Sequence, residues 1–259
     1  MEQYKNLENI LKKYEKICVA YSGGTDSDFL LNAAVKILGK ENVLAVIADG
    51  VMLAKKDYDD AVRLAEKSGA RLVTVTADAM AVDEFKMNRK DRCYFCKKNI
   101  MGEIIKKASE YGFYTVADGK NTDDGKVFRP GAKAAAELGI VSPLFEAGFS
   151  KQDIRSCAKY MGLETWNKKS NSCLATRFPY DTELNEETMK MVENAELMIF
   201  NEGFYGARVR LHGDIARIEI DKNDFERFIK EEELIKNIKA VGFKYVTLDL
   251  EGFRSGSMD

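Results

Sequence analysis

"KICVAYSGGTDS", residues 16–27, joins an apolar run to a glycine turn and to the start of an amphipathic segment. The apolar run predicts a buried strand, and the next apolar residues have the spacing of a helix that ends at Gly39. Two glycines between a strand and a helix let successive backbone N–H groups approach an anion without obstruction from side chains. The helix N-terminus adds partial positive charge. This stretch therefore predicts an anion-binding turn at the end of a strand.

The alternation of strands and helices continues downstream of this turn. Apolar runs at residues 42–49 and 70–78 flank a helical pattern at residues 55–69, and a further helix at 96–112 leads to a strand at 113–119. Strands that alternate with helices are typical of a parallel sheet covered on both faces. We therefore predict an α/β fold with a Rossmann-like parallel sheet in a first domain, residues 1–180.

The order of elements changes after residue 180. A helix at residues 185–203 precedes an alternating stretch at 206–220, which predicts a two-stranded hairpin turning at "HGD". A helix at 224–242 and a strand at 244–250 complete the chain. We predict a second domain, residues 181–259, with a small α+β fold.

Composition excludes several classes of protein. The 259 residues carry a net charge of -2, with 42 acidic and 40 basic residues, so the chain as a whole does not attract nucleic acid or anionic membranes. No window of about 18 apolar residues predicts a membrane span, and the N-terminal stretch lacks the pattern of an export signal. We expect a cytoplasmic protein, in which a structural disulfide is improbable.

The six residues Ser22–Ser27 match neither the GxxxxGK[ST] loop nor the GxGxxG fingerprint. Their hydroxyl groups can donate hydrogen bonds, and Asp26 is placed to hold a magnesium ion that bridges phosphate oxygens. The stretch resembles the PP-loop of the N-type ATP pyrophosphatases, although a plain turn rich in Ser, Gly and Asp is the alternative. The resemblance implies cleavage of ATP to AMP and pyrophosphate, with adenylation of a carboxylate or carbonyl oxygen. The implied nucleotide ligands are Ser22, Gly23, Gly24, Thr25, Asp26 and Ser27.

Longer stretches resemble one branch of that superfamily, the LarE-type sulfur transferases. They are residues 117–155, "CLATRFPY" at 173–180, "VRLHGDIARIEI" at 209–220 and "LDLEGFRSGSMD" at 248–259. The resemblance implies a role in assembly of the nickel-pincer nucleotide cofactor. A carboxylate of pyridinium-3,5-dicarboxylate mononucleotide would be adenylated and converted to a thiocarboxylate, with sulfide or another sulfur donor. It also implies a homo-oligomer, such as a hexamer.

Charged residues supply candidate ligands for that substrate. Arg208 and Arg210 alternate along a predicted strand, so both side chains face the same way, as a clamp on a phosphate requires. A solvated strand face is the alternative. Arg177 could neutralise a substrate carboxylate or phosphate, and the resemblance adds Glu196 and Glu219 as polar residues of the second domain.

Three further residues are predicted near the ATP phosphates. By resemblance, Lys97 meets these phosphates and acts with Asp26 in catalysis, although an exposed lysine at a helix start is common. Asp123 and Asp124 follow a predicted strand, so they would lie at the carboxyl edge of the sheet, where ligands of open α/β folds gather. Capping of a helix or turn is the alternative for both aspartates.

The five cysteines and the single histidine leave several kinds of chemistry open. Cys93, Cys96 and Cys173 are the right number of thiolates to hold a 4Fe-4S cluster by three irons, with the fourth iron free to carry sulfide. In the sacrificial version of the family, a cysteine near the position of Cys173 attacks the acyl adenylate, gives up its sulfur and becomes dehydroalanine. A zinc site lacks an obvious fourth ligand, and a redox pair is a further alternative. Cys18 and Cys157 are interpreted as buried small hydrophobic residues.

Two other functions share parts of this pattern. A tRNA thiolase has the same loop and cysteines, but it would need a basic RNA-binding surface, and acidic residues outnumber basic ones here. A nucleotide sensor would bind ATP or AMP at the loop without turnover. We therefore expect an adenylating sulfurtransferase whose partners are small molecules, and no nucleic acid or membrane partner.

Overall fold

The computed structural model describes residues 2–126, 130–169, 172–254 and 256–258, which fall into two compact units. Residues within 1–82 and 91–171 form the N-terminal unit, and residues within 83–90 and 172–259 form the C-terminal unit. The sequence analysis places one boundary near residue 180. In the structure the chain passes between the units three times, because the short segment 83–90 belongs with the C-terminal residues.

Parallel strands form the centre of the N-terminal unit. β1 (Ile17–Ala20), β2 (Val43–Asp49), β3 (Arg71–Thr76) and β4 (Val116–Ala117) lie in the order β3-β2-β1-β4, and each neighbouring pair is parallel. This arrangement confirms the predicted α/β fold class with a Rossmann-like sheet. It also brings the carboxyl ends of the strands, and the turns that follow them, to one edge.

Alternate residues of β1 point into different halves of the core. Val19 packs in a cluster with Phe29, whereas its neighbour Cys18 packs in a second cluster with Met101. Because both faces are covered by helices, the strand is buried over its whole length, as its continuous apolar run predicts. The helices in chain order are α1 (Glu2–Leu11), α2 (Thr25–Leu38), α3 (Lys55–Ser68), α4 (Asp83–Lys86), α5 (Arg92–Glu110), α6 (Pro130–Glu137), α7 (Pro143–Glu146), α8 (Lys151–Tyr160), α9 (Glu186–Asn201), α10 (Phe225–Ile229) and α11 (Glu232–Ala240).

The C-terminal unit contains a second sheet of three strands. β5 (Arg208–His212) and β6 (Ile215–Glu219) form the predicted antiparallel hairpin, and β7 (Tyr245–Leu248) pairs in parallel with β6. Val209 and Ile218 belong to the apolar face of the sheet, and α9 and α11 contact the sheet. The alternate positions on β5 and β6 carry arginines and a glutamate, so the opposite face of the same sheet is polar.

The predicted helix at residues 224–242 is two helices, α10 and α11, separated at Lys230 and Glu231. Phe228 and Leu234 are both buried, yet six residues of continuous helix would point their side chains in directions about 120° apart. The break lets both side chains reach the core. Three consecutive glutamates from Glu231 begin the second helix, where negative charge is favourable.

Within the described ranges, none of the helices combines the length and the apolar character that crossing a lipid bilayer requires.

Candidate functional site

The glycine turn lies between β1 and α2, as predicted. Gly23 has a φ of +67°, and a Cβ at this position would lie 2.5 Å from the Cβ of Ala61, so only glycine fits. The hydroxyl oxygens of Ser22 and Ser27 lie 3.1 Å apart, and the Ser22 N–H donates to the Ser27 hydroxyl at 3.3 Å. Among the described residues no side chain caps α2 at Gly24, so the first N–H groups of this helix are open to an anion.

Acidic side chains gather beside the turn at the carboxyl edge of the sheet. The amide of the fully buried Asn121 donates to Asp26 at 3.1 Å, and the carbonyl oxygen of the same amide accepts from the Asp124 N–H at 3.3 Å. Burial raises the pKa of Asp26, and the negative charge of Asp124 raises it further. A divalent cation would relieve both effects, and carboxylate oxygens are the ligands that magnesium prefers. Asp123 accepts from the Lys151 N–H at 2.9 Å, which fixes the start of α8.

Lys97 lies in the first turns of α5, where its side chain is largely withdrawn from solvent. Burial lowers the pKa of its ammonium, while Asp118 and Cys96 act in the opposite direction. Asp118 itself is buried at the end of β4 and accepts a hydrogen bond from the Ser142 hydroxyl at 2.8 Å. The lysine therefore lies near a carboxylate, and a phosphate bound beside it would favour its charged form.

A segment that follows α8 also contacts the turn. The Thr165 hydroxyl donates to Asp28 at 2.7 Å, and the Thr165 carbonyl accepts from the Thr25 hydroxyl at 2.7 Å. The Lys168 ammonium donates to the carbonyl of Gly23 at 3.1 Å. A positive charge is thus held directly behind the backbone of the turn.

The cysteines occupy different environments. Cys93 is exposed and Cys96 is buried, one helical turn apart at the start of α5, whereas Cys173 is partly buried in the C-terminal unit. Cys18 is fully buried and Cys157 partly buried, both in apolar surroundings. Within the part of the chain that the structure describes, no three His, Cys, Asp or Glu residues are grouped to hold a metal ion. The three-cysteine ligand set stays a prediction.

Arg177 has an internal partner in the C-terminal unit. Its Nε and Nη2 donate to the two carboxylate oxygens of Glu196 at 2.8 and 3.0 Å, and the guanidinium is 1% exposed. Its Nη1 donates to the carbonyl oxygens of Ser172 and Cys173 at 3.1 and 3.3 Å. Glu196 also accepts from the Val209 N–H at 2.9 Å. The structure thus uses both predicted substrate ligands to hold the loop that carries Cys173.

The other arginines lie on the polar face of the second sheet. Arg208 and Arg210 are nearly buried, and Arg210 donates to one oxygen of the fully buried Glu219 at 2.9 and 3.2 Å. Arg217, which lies opposite Arg210 in the strand register, approaches the other oxygen of Glu219 at 3.2 Å. The predicted pair of arginines therefore faces one side of the sheet, and Arg217 joins them there.

Sequence reasoning missed several polar residues of the N-terminal site. Asn121 contacts Asp26 across 95 positions of sequence, and Lys168 contacts Gly23 across 145. No local sequence pattern predicts such contacts. Asp118 had a usable signal, because it is an acid at the carboxyl end of a predicted strand.

Comparison of the sequence with known proteins identifies a family and several relatives. A family model described as NAD synthase matches residues 2–111. The pyridinium-3,5-bisthiocarboxylic acid mononucleotide synthase of Lactiplantibacillus plantarum is 39% identical over 250 residues, which are 96% of this chain and 91% of the relative. Uncharacterised proteins of Synechocystis and Methanocaldococcus jannaschii are 35% and 33% identical, over 98% and 96% of this chain and 96% of each relative. With a relative of this identity along almost its whole length and a PP-loop in the predicted place, the chain belongs to the LarE family of pyridinium-3,5-bisthiocarboxylic acid mononucleotide synthases.

Proposed function

We propose that this protein is an ATP-dependent sulfur insertase. It adenylates a carboxylate of pyridinium-3,5-dicarboxylate mononucleotide, releases pyrophosphate, and converts the activated carboxylate to a thiocarboxylate of the nickel-pincer cofactor precursor. The observation that carries the proposal is the open N-terminus of α2 behind the Ser22–Ser27 turn, with Asp26 beside Asp124. The name of the Lactiplantibacillus plantarum relative supports the choice of substrate.

The N-terminal unit supplies the groups for adenylation. A carboxylate oxygen of the substrate attacks the α-phosphorus of ATP, and the bond to the β-phosphate breaks. The N–H groups at the start of α2 bind the departing pyrophosphate, with the two hydroxyls of Ser22 and Ser27 at the same turn. Lys97 meets the phosphates of ATP, whose negative charge favours its ammonium form. A magnesium ion on Asp26 and Asp124 would neutralise charge on the phosphate oxygens.

The C-terminal unit supplies the groups for substrate binding and sulfur transfer. The polar face with Arg208 and Arg210 suits the phosphate of the mononucleotide. Cys173 lies in a loop whose carbonyl groups are fixed by Arg177. We propose Cys173 as the catalytic cysteine.

Two routes could deliver the sulfur. In the sacrificial route, the Cys173 thiolate attacks the acyl adenylate and AMP leaves. Removal of the α-proton then breaks the Cβ–S bond, so the product keeps the sulfur and the residue becomes dehydroalanine. In the second route, Cys93, Cys96 and Cys173 would hold a 4Fe-4S cluster that supplies reusable sulfide.

The adenylation proposal is tested by pyrophosphate release. We expect release from ATP and magnesium only when the dicarboxylated pyridinium mononucleotide is present, and not with unmodified tRNA. Asp26→Asn should lower the rate at least a hundredfold, because it removes a carboxylate from the phosphate site. Glu41→Gln, a change of the same kind on the exposed surface, should leave the rate unchanged. Release without the nucleotide, or release driven by tRNA, would exclude the proposed substrate.

The route of sulfur delivery is tested on protein purified without oxygen. A cluster predicts stoichiometric iron and labile sulfide that are lost in Cys93→Ser. The sacrificial route predicts a single turnover by iron-free protein, with loss of the elements of hydrogen sulfide from the peptide that contains Cys173. Mass spectrometry of that peptide therefore separates the two routes.

A further inference from the structure

The C-terminal segment returns to the polar face of the second sheet after β7 ends. The Asp249 N–H donates to the Ile218 carbonyl at 2.8 Å, and the Phe253 N–H donates to the Ile220 carbonyl at 2.9 Å. Between them Gly252 has a φ of +72°, and a Cβ there would lie 2.9 Å from the Ile220 carbonyl oxygen. Only glycine fits this turn, so the backbone that leads into the last residues is fixed.

Side chains of this segment contact the charged residues of the polar face. The ring of Phe253 lies against the Arg208 guanidinium, and the Cζ atom of Arg208 is 5.4 Å from the centroid of the ring. The Ser257 hydroxyl donates to Oε1 of Glu219. One nitrogen of Arg217 lies 3.2 Å from the sulfur of Met258. Three strand positions of the face are thus contacted by residues from the end of the chain.

The position of Glu219 decides where the arginines can point. Its carboxylate is fully buried, with Oε2 bound by Arg210 and Oε1 bound by Arg217 and Ser257. Ser257 is the uncharged member of these three partners. If its hydroxyl is lost, Oε1 keeps only the arginine, and the carboxylate can rotate with both guanidinium groups attached to it.

Charge on this face favours an anion. The guanidinium groups of Arg208, Arg210 and Arg217 lie on this face with the carboxylates of Glu219 and Asp249, and Arg254 also approaches Asp249, at 3.4 Å. In a nearly buried environment, guanidinium groups attract an anion more strongly than in water. A phosphate group matches these guanidinium donors in charge and in hydrogen-bond geometry.

We propose that Phe253 and Ser257 are positioning residues for the phosphate subsite of the mononucleotide. Phe253 orients Arg208, and Ser257 holds Glu219 so that Arg210 and Arg217 present their remaining donors to one phosphate. The inference rests on the proposed function, because the mononucleotide supplies the phosphate. It assigns a binding role to the end of the chain.

The test uses the full chain and nicotinate mononucleotide, a pyridinium mononucleotide with one carboxylate, as the probe in titration calorimetry without ATP. Ser257→Ala should raise the Kd about fivefold, the effect of one lost hydrogen bond to a charged network, and Ser257→Thr should restore it. Phe253→Leu should raise the Kd by a similar factor. Glu251→Gln, a change at an exposed carboxylate of the same segment, should leave the Kd unchanged.

Steady-state kinetics separates positioning from general destabilisation. The KM for the dicarboxylated nucleotide should rise in both variants, while the KM for ATP stays the same. If wild-type protein binds the probe and both variants bind it equally well, the inference is overturned and the proposed function stands. If wild-type protein does not bind pyridinium mononucleotides, the proposed substrate fails, and the role of Phe253 and Ser257 fails with it. Equal rises in both KM values would also overturn the inference.

Discussion

Arg177 illustrates how one residue can have a role that its sequence position does not reveal. Beside Cys173 it resembles a substrate ligand, yet in the structure its guanidinium pairs with Glu196 through two hydrogen bonds and donates to the loop carbonyls. A buried arginine that binds a carboxylate in a fork has little freedom left. The loop geometry around Cys173 therefore depends on the ion pair between Arg177 and Glu196 of α9.

Replacement of Arg177 should destabilise the protein. Arg177→Met leaves the mostly buried carboxylate of Glu196 without its partner, and removal of one member of a buried pair costs about 3 kcal/mol. Urea unfolding measures this loss. Lys230→Met, which breaks the exposed ion pair with Glu226, should change the free energy of unfolding by less than about 0.5 kcal/mol. Similar losses in the two variants would contradict a structural role for Arg177.

The cysteines should differ sharply in reactivity. Burial raises the pKa of Cys18 to about 12, so roughly one molecule in ten thousand carries the thiolate at pH 8. Cys93 is exposed to solvent. Peptide mass spectrometry after brief treatment of iron-free native protein with iodoacetamide should find Cys93 modified and Cys18 untouched. Cys18 should react only after denaturation, and its early modification would mean that β1 opens readily.

At the level of elements, the turn after β1 is supported by the segment that follows α8. A trans peptide is planar, so the carbonyl of Gly23 and the N–H of Gly24 point in opposite directions. Lys168 holds the carbonyl of Gly23 and thereby sets the direction of the N–H of Gly24. Thr165 ties the same segment to the first turn of α2 through its hydrogen bonds with Thr25 and Asp28.

Lys168 should therefore matter for ATP more than for the pyridinium substrate. Lys168→Met removes a charged hydrogen bond and a positive charge behind the phosphate site, and we expect the KM for ATP to rise about tenfold. The KM for the nucleotide substrate should change little. Lys169→Met, at the exposed neighbouring position, is the matched control. An unchanged KM for ATP in Lys168→Met would show that the turn holds its shape without this contact.

The elements that the sequence predicts well are those with local signals. β1 and α2 follow from an apolar run, two glycines and a helical spacing, all within 24 residues. The break between α10 and α11 escapes such reasoning, because it depends on where Phe228 and Leu234 must pack. The site divides in the same way: the Ser22–Ser27 turn is local, whereas the Asn121 and Lys168 contacts exist only in the folded chain.

At the scale of the whole molecule, the chain is organised by contacts that are distant in sequence. The segment 83–90 belongs to the C-terminal unit because Asn88, which is fully buried, donates to the carbonyl oxygens of Phe178 and Pro179 at 3.1 and 2.7 Å. The Asp181 N–H donates in return to the Asn88 carbonyl at 3.2 Å. A boundary drawn near residue 180 from the order of the predicted elements has no means of detecting this segment.

Asn88 should be a sensitive position for the stability of the C-terminal unit. Its φ of +49° lies in the left-handed region, so Asn88→Ala adds backbone strain to the loss of two hydrogen bonds, about 3 kcal/mol together. Asn88→Gly tolerates this φ and should lose only the hydrogen bonds, about 2 kcal/mol. Far-UV circular dichroism during urea unfolding measures both losses.

Fluorescence supplies an internal control for that experiment. Trp166 is the single tryptophan of the chain and belongs to the N-terminal unit, so its emission follows that unit, whereas circular dichroism follows both. We expect Asn88→Ala to lower the urea concentration at the midpoint of the circular dichroism transition. The tryptophan fluorescence should then change only at a higher urea concentration. Wild-type midpoints in both Asn88 variants would mean that the segment 83–90 contributes nothing to the stability of the unit to which it belongs. A lower free energy of unfolding for Asn88→Ala than for Asn88→Gly tests the backbone contribution separately. The two variants lose the same side-chain hydrogen bonds and differ in the cost of a positive φ.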